Sequence, residues 1–367
     1  MNLHLPRLAL TLVGLIACGG ADTDTEVPGE TDTEDAVPYA YTSPEACPGA
    51  ARIRADPPQG FYNTIPRSFV NFEGRLWMSA MSVEREDTTH QPALWAPLDC
   101  SGEDAPVWRR VGTGGGNQAY LFTGHDRLLL GTIADGTTRA QYLDADAEPL
   151  GDPVTVSAPA AWVGSWGLTR DGFFLPKDWT DEQLDVLLLD LDLEPSGLLS
   201  FEDVPRDGNA AAFGPPGQPG IAVVDEENGR LVRQRLDAVR TEERLALGRV
   251  AIMPSDPNSA FFVRYEVAGR RNVLTDGEHE HELDLPPGSY GVTIAAEGEG
   301  FWVVSMGNVY WLETWDAELE LVANIDGDPE LADYRASRVV GVGGDRVAVL
   351  FTNWEGDITS TVRIFER

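Results

Sequence analysis

Lysine is nearly missing from this chain: Lys177 is the single one in 367 residues, so arginine supplies almost all of the 27 basic side chains. Against 60 acidic residues these leave a formal charge of −33. That balance excludes nucleic acid as a partner, because phosphate backbones are held by clustered lysine and arginine. It also disfavours docking on anionic lipid by charge alone, and an acid-rich surface suits solubility in salty surroundings. Cysteine is scarce: Cys18, Cys47 and Cys100 are too few for a structural zinc site. Only five histidines occur and no G-x-S-x-G elbow, which leaves nucleophilic catalysis little to work with. The apolar run at Leu8 to Ala17 is ten residues long, half of the about 20 that a membrane-spanning helix needs.

That run has another use. With Arg7 and His4 before it and no acid, residues 1–17 have the layout of an export signal. Its end, Leu15-Ile16-Ala17-Cys18, resembles the lipobox of bacterial lipoproteins. The resemblance covers only the first twenty residues. It implies that Cys18 is acylated and becomes the mature N-terminus, making the membrane a partner through a lipid anchor. Each buried methylene of such an anchor contributes about 0.8 kcal/mol. Gly19 after the cysteine lacks the aspartate of enterobacterial inner-membrane retention, which implies the outer membrane. The alternative is a secreted protein whose Cys18 is discarded with the signal.

Residues 18–45 then form an expected disordered acidic tether. Val27 and Val37 are the only large apolar side chains in 19–38, too few to offset the entropy of ordering the segment. Cys47 and Cys100 remain, and in an exported chain an even pair is expected to form a disulfide. Closing a loop of this length contributes about 4 kcal/mol on the chain-entropy model.

From 46 to 367 no helical periodicity is found. Short β-rich runs alternate with Gly, Pro, Asp and Asn, and one phrase recurs: apolar strand, tight polar turn, apolar strand. Examples are "FVNFEGRLWMSA", "YLFTGHDRLLLGT", "WGLTRDGFFLP" and "VVGVGGDRVAVLFTN". The turns near Gly74, Asp126, Asp171, Gly217, Pro257, Gly298 and Gly344 are spaced by 52, 45, 46, 40, 41 and 46 residues. Each phrase is followed by a second hairpin, such as "DVLLLDLDLEPSGLLSF". Two hairpins per period of 40 to 50 residues make the four-stranded blade of a β-propeller. We therefore expect an all-β fold, a propeller of seven four-stranded blades, with paired β-sandwiches and rings of six or eight blades as rivals. The last copy lacks a fourth strand, while "ARIRA" at 51–55 is unclaimed. That N-terminal strand is expected to complete blade seven and close the ring, with Cys47 and Cys100 as a latch on one rim.

Propellers bind near their axis, on the face built by the loops joining blades and the loops between second and third strands. Those loops carry Phe61, Tyr62, Arg67, Arg85, Trp162, Trp179, Arg270, Arg271, Tyr290, Tyr334 and Trp354 as ligand-binding candidates. Aromatics with arginines suit planar or sugar-like ligands, through stacking and forked hydrogen bonds. No catalytic set, metal site or cofactor motif is recognisable. His279 and His281 lack further ligands, and "GTGGGNQ" lacks the Lys-Ser/Thr of a phosphate loop. The alternating aspartates of "LDADAE" and "DLDLEP" are read as hairpin residues. The functional expectation is a lipid-anchored cell-envelope module that binds or scaffolds a protein or glycan ligand. The alternative is a propeller glycoside hydrolase or polysaccharide lyase, which would need two carboxylates converging near the axis.

Overall fold

A computed structural model describes residues 42–367 apart from 59, 85–91, 103, 113–116, 135–136, 158–165, 181–182, 205–209, 215–216, 226–229, 238, 245–249, 255–260, 267–269, 277–278, 287–288, 290, 306, 326–327 and 354–358, and apart from the side chains of 62–64, 157, 178–179, 210, 225, 250–254 and 266. Cys18 and the residues read as signal lie outside that set, as do Arg85, Trp162, Tyr290 and Trp354 and the side chains of Tyr62 and Trp179.

Seven four-stranded antiparallel sheets succeed one another along the chain and form a ring, a seven-bladed β-propeller. Blades one to six occupy 61–111, 118–157, 167–202, 210–244, 250–283 and 293–324. Blade seven takes three strands from 334–366 and its outermost strand from Arg52–Arg54. That strand pairs Arg52 with Arg363, Ile53 with Val362 and Arg54 with Thr361, so the ring closes with the N-terminal strand as expected. No helix occurs among the described residues.

Why these strands stack is visible in blade seven. Its second strand, Arg346–Asn353, is apolar on both faces because both faces are covered. Val347, Val349 and Phe351 join a buried cluster with Trp302 and Trp311 of blade six. Ala348 and Leu350 point the other way, into a cluster with Leu76 and Met78 of blade one. The two-residue alternation of a strand thus feeds two interfaces. Seven such clusters are present, one between each pair of neighbouring blades.

The closure is reinforced twice. Cys47, just before the closing strand, is disulfide-bonded to Cys100 in the last connection of blade one, with Cα atoms 4.9 Å apart. Ahead of it, 43–46 crosses the hairpin face of blades six, seven and one. Ser43 N–H donates to Glu297 Oε1 at 3.2 Å, Asn71 Nδ2 donates to the Pro44 carbonyl at 2.6 Å, and Ala46 N–H to the Val342 carbonyl at 3.0 Å. Contacts with the ring therefore begin at Ser43, where this stretch meets a buried carboxylate, an amide donor and a carbonyl presented by three inner hairpins.

The aspartate-rich turns have a backbone role. Asp144 Oδ1 accepts the N–H groups of Asp146 and Glu148, and Asp190 Oδ1 those of Asp192 and Glu194, all at 2.8 to 2.9 Å. Each turn bends through a left-handed residue, Ala147 or Leu193.

Candidate functional site at the axial channel

Strands near the axis run further than the loop reading allowed. The inner strand of blade one spans Phe61–Phe72, and Phe61 pairs with Glu84, so Phe61 and Tyr62 begin a strand instead of ending a loop. Likewise the second strand of blade three, Gly172–Trp179, carries Trp179 as its last residue. Continuous ladder pairing costs less than leaving these backbone groups open.

Phe61 is half-buried beneath the Arg110 guanidinium, 5.9 Å from the ring centre, and Arg110 is ion-paired with Glu84. Tyr334, at the start of the inner strand of blade seven, shares a hydrogen bond with Thr359 Oγ1 at 3.1 Å. It lines a polar cavity of about 280 Å³ with Arg52, Arg54 and Asp56. Both arginines there are engaged, Arg54 with Asp56 at 2.7 Å and Arg52 with Glu330 at 3.1 Å. Arg270 and Arg271 stand exposed in blade five, Arg271 paired with Glu282 at 3.2 Å. His279 is hydrogen-bonded to Asp276 at 2.9 Å and packs against Trp315, 5.7 Å between ring centres. The predicted candidates Phe61, Tyr334 and the Arg270–Arg271 pair lie in blades one, seven and five respectively.

Arg67 differs. In blade one Pro66 pairs with Ala80 and Ser68 with Ser79, leaving Arg67 as the extra residue of a β-bulge. In blade seven Ala336 pairs with Phe351 and Arg338 with Leu350, so Ser337 is extra and Arg338 follows the bulge. Bulges re-aim side chains, and here they bring the Arg338 guanidinium onto the Arg67 backbone and within electrostatic reach of the Arg67 charge. Arg338 Nε donates to the Arg67 carbonyl at 3.3 Å and its Nη1 to the Ser337 carbonyl at 2.6 Å. Tyr120, on the inner strand of blade two, Gln118–Gly124, completes the group and donates its hydroxyl to Gln118 Oε1. The inner strand of blade one contacts the inner strands of blades seven and two on either side, which makes this part of the wall around the axis.

The electrostatics follow from that placement. Burial lowers the Arg338 guanidinium from its ordinary value, and the Arg67 charge lowers it further while Tyr120 opposes. Burial raises the Tyr120 phenol, with both arginines pulling the other way. Arg67 Nε is buried without a hydrogen-bond partner, and Arg67 Nη2 reaches only the Met81 thioether at 3.5 Å. A thioether is a weak acceptor. Among the described residues neither guanidinium has a carboxylate partner. Sequence reasoning named Arg67 and missed Arg338 and Tyr120. The available signal was a charged residue inside "YRASRVVG", an inner strand whose neighbours are small or apolar.

The described residues thus define a closed seven-bladed propeller with a donor-rich patch on its channel wall. Similar solved structures include a streptogramin B lyase, at 11% identity, covering 84% of this chain and 97% of that one with a TM-score of 0.50. A catalytically inactive virginiamycin B lyase from Staphylococcus aureus with quinupristin matches at 10% identity over 84% and 98%, TM-score 0.48. The β-propeller domain of Cps50 from Myceliophteria thermophila matches at 12% over 90% and 100%, TM-score 0.47. At such identities the likeness extends to the ring and to no ligand or reaction. No protein-family model matches the chain, and no curated protein matches it in sequence.

Proposed function

We propose that this protein is a binding module of the cell envelope, held to the membrane through an acylated Cys18 and offering its channel face to a protein or glycan. The observation that carries the binding reading is the chemistry at the axis. Arg67, Arg338 and Tyr120 are donors there, and no carboxylate stands beside them among the described residues. Hydrolysis of a glycosidic bond canonically takes two carboxyl groups flanking it. The buried carboxyl with a raised pKa, Glu297, is instead bonded to Ser43 on the hairpin face. The Cys47–Cys100 bridge supports export, since such bonds persist in oxidising compartments. The lipobox-like Leu15-Ile16-Ala17-Cys18 supports the anchor, and the acidic stretch after it suits a spacer.

Two measurements test this. Intact-mass analysis of the mature chain is expected to show an acylated N-terminal Cys18, and Cys18→Ala to move the protein from membrane to soluble fractions. An unmodified N-terminus downstream of Cys18 would remove the anchor. Glycan-array and pull-down binding without hydrolysis of the bound glycan is the expected behaviour, whereas turnover would favour the hydrolase or lyase.

A further inference from the structure

We propose that Arg67, Arg338 and Tyr120 form an oxyanion-binding site on the channel wall, so that the ligand of this propeller presents a carboxylate, phosphate or sulfate group to the axis. This rests on the binding-module reading and gives its ligand a chemical class.

Two arginines side by side in a partly dehydrated channel repel each other, and the free energy of that arrangement is recovered only by a counter-charge. The chain supplies such counter-charges elsewhere. Arg264, buried in blade five, and its neighbour Arg233 in blade four share Glu243 and Glu280: Arg264 Nη1 lies 2.9 Å from Glu243 and 3.3 Å from Glu280, and Arg233 Nη2 lies 3.2 Å from Glu243. Arg233 also pairs with Glu280. With 60 acids in the chain, a carboxylate at the axial pair was readily available to selection. At Arg67 and Arg338 none of the described residues plays that part. Arg338 is held in place by two backbone carbonyls, which orient it without neutralising it. Arg67 has a buried Nε without an acceptor, as Arg233 and Arg264 do, but where their Nη atoms meet carboxylates its Nη2 meets only the Met81 thioether. Both owe their direction to β-bulges on inner strands, and a regular ladder would have turned these positions elsewhere. Fork-shaped guanidinium donors fit an oxyanion with two or more oxygens, through paired N–H···O bonds. The Tyr120 hydroxyl, now given to Gln118, adds a donor from a third blade.

The test is calorimetric titration of the folded, disulfide-bonded protein with sodium glucuronate, inorganic phosphate and sulfate, each against chloride at equal ionic strength. Binding of at least one probe is expected, and the strongest of the three identifies the oxyanion. Arg67→Gln and Arg338→Gln are each expected to weaken that probe at least tenfold, and Tyr120→Phe by a few-fold. Should a glutamine variant fail to fold, Arg67→Lys, which keeps the charge and loses the fork, is expected to bind at least several-fold more weakly than wild type. No binding of any probe by the wild type, or unchanged affinity in the folded variants, overturns the proposal. The two readings fail separately. Wild-type protein that retains an uncharged glycan or a protein while ignoring all three anions leaves the binding module standing without the oxyanion site. Wild-type protein that retains nothing on the array removes the module itself.

Discussion

At the scale of single residues, Glu297 is the clearest instance of a side chain whose chemistry the chain alone does not reveal. It ends the inner strand of blade six, is buried, and accepts the Ser43 N–H with one oxygen while Oε2 has no partner. Burial raises its pKa above the ordinary 4.5, the nearby Asp345 charge adds to this, and the Ser43 hydrogen bond opposes. An acid whose folded value is raised holds its proton longer in the native state than in the unfolded chain. Its favourable contribution is therefore complete below about pH 4.5 and is lost as pH rises through the folded value. Glu297→Gln keeps an acceptor for Ser43 and removes the charge. The variant is expected to melt higher than wild type at pH 7, with the difference shrinking as pH falls to 4.5. A difference independent of pH would show that the carboxyl does not titrate in this range. Arg67 and Arg338 teach the same lesson with the opposite charge. Arg67 was legible as a candidate because it sits in a polar stretch, yet its partner was hidden in an ordinary-looking strand.

At the scale of elements, the four-stranded meander was readable because its turns are written in side chains that do specific work. "LDADAE" and "LDLDLE" place an aspartate where one carboxylate oxygen accepts two backbone N–H groups, in blades two and three alike. Asp190→Ala removes the one oxygen that accepts both N–H groups and is expected to cost about 1 kcal/mol in urea unfolding, comparable to loss of a helix cap. Asp190→Asn, which keeps one carbonyl oxygen in place, is expected to lose less. What could not be read was the bulge. The extra residues at Arg67 and Ser337 break the two-residue alternation, and they leave no mark in composition or spacing because the pairing register is set by the facing strand. Pro66 fits beside one of them because an innermost strand has a free edge, where a missing N–H costs no ladder bond.

At the scale of the whole molecule, stability resides between blades. Every interface carries its own apolar cluster, and an isolated blade would expose both faces of strands such as Arg346–Asn353. The ring is held shut at one seam, where Arg52–Arg54 joins blade seven and Cys47 is tied to Cys100 across 53 residues of chain. Replacing both cysteines by serine is expected to lower unfolding free energy by about 4 kcal/mol, read by guanidinium denaturation. A loss well under 1 kcal/mol would mean that the strand and the 43–46 segment close the ring without the bridge. The charge of −33 acts at this scale too, opposing the approach of any anion from a distance. An anion at Arg67 and Arg338 must therefore be bound by short-range donors, and short-range binding inside a channel is screened little by salt.

Period, turn chemistry and the unclaimed N-terminal strand by themselves determined the blade count and the mode of closure, because each follows from local alternation repeated at a fixed interval. The pairing of Cys47 and Cys100 was legible from number alone, as the even pair left beside Cys18, and the ring places the two in adjacent blades. Only the tertiary structure decided which side chains meet at the axis. Residues 67, 120 and 338 are far apart along the chain, and their meeting depends on ring closure and on two one-residue shifts of strand register that no local pattern encodes.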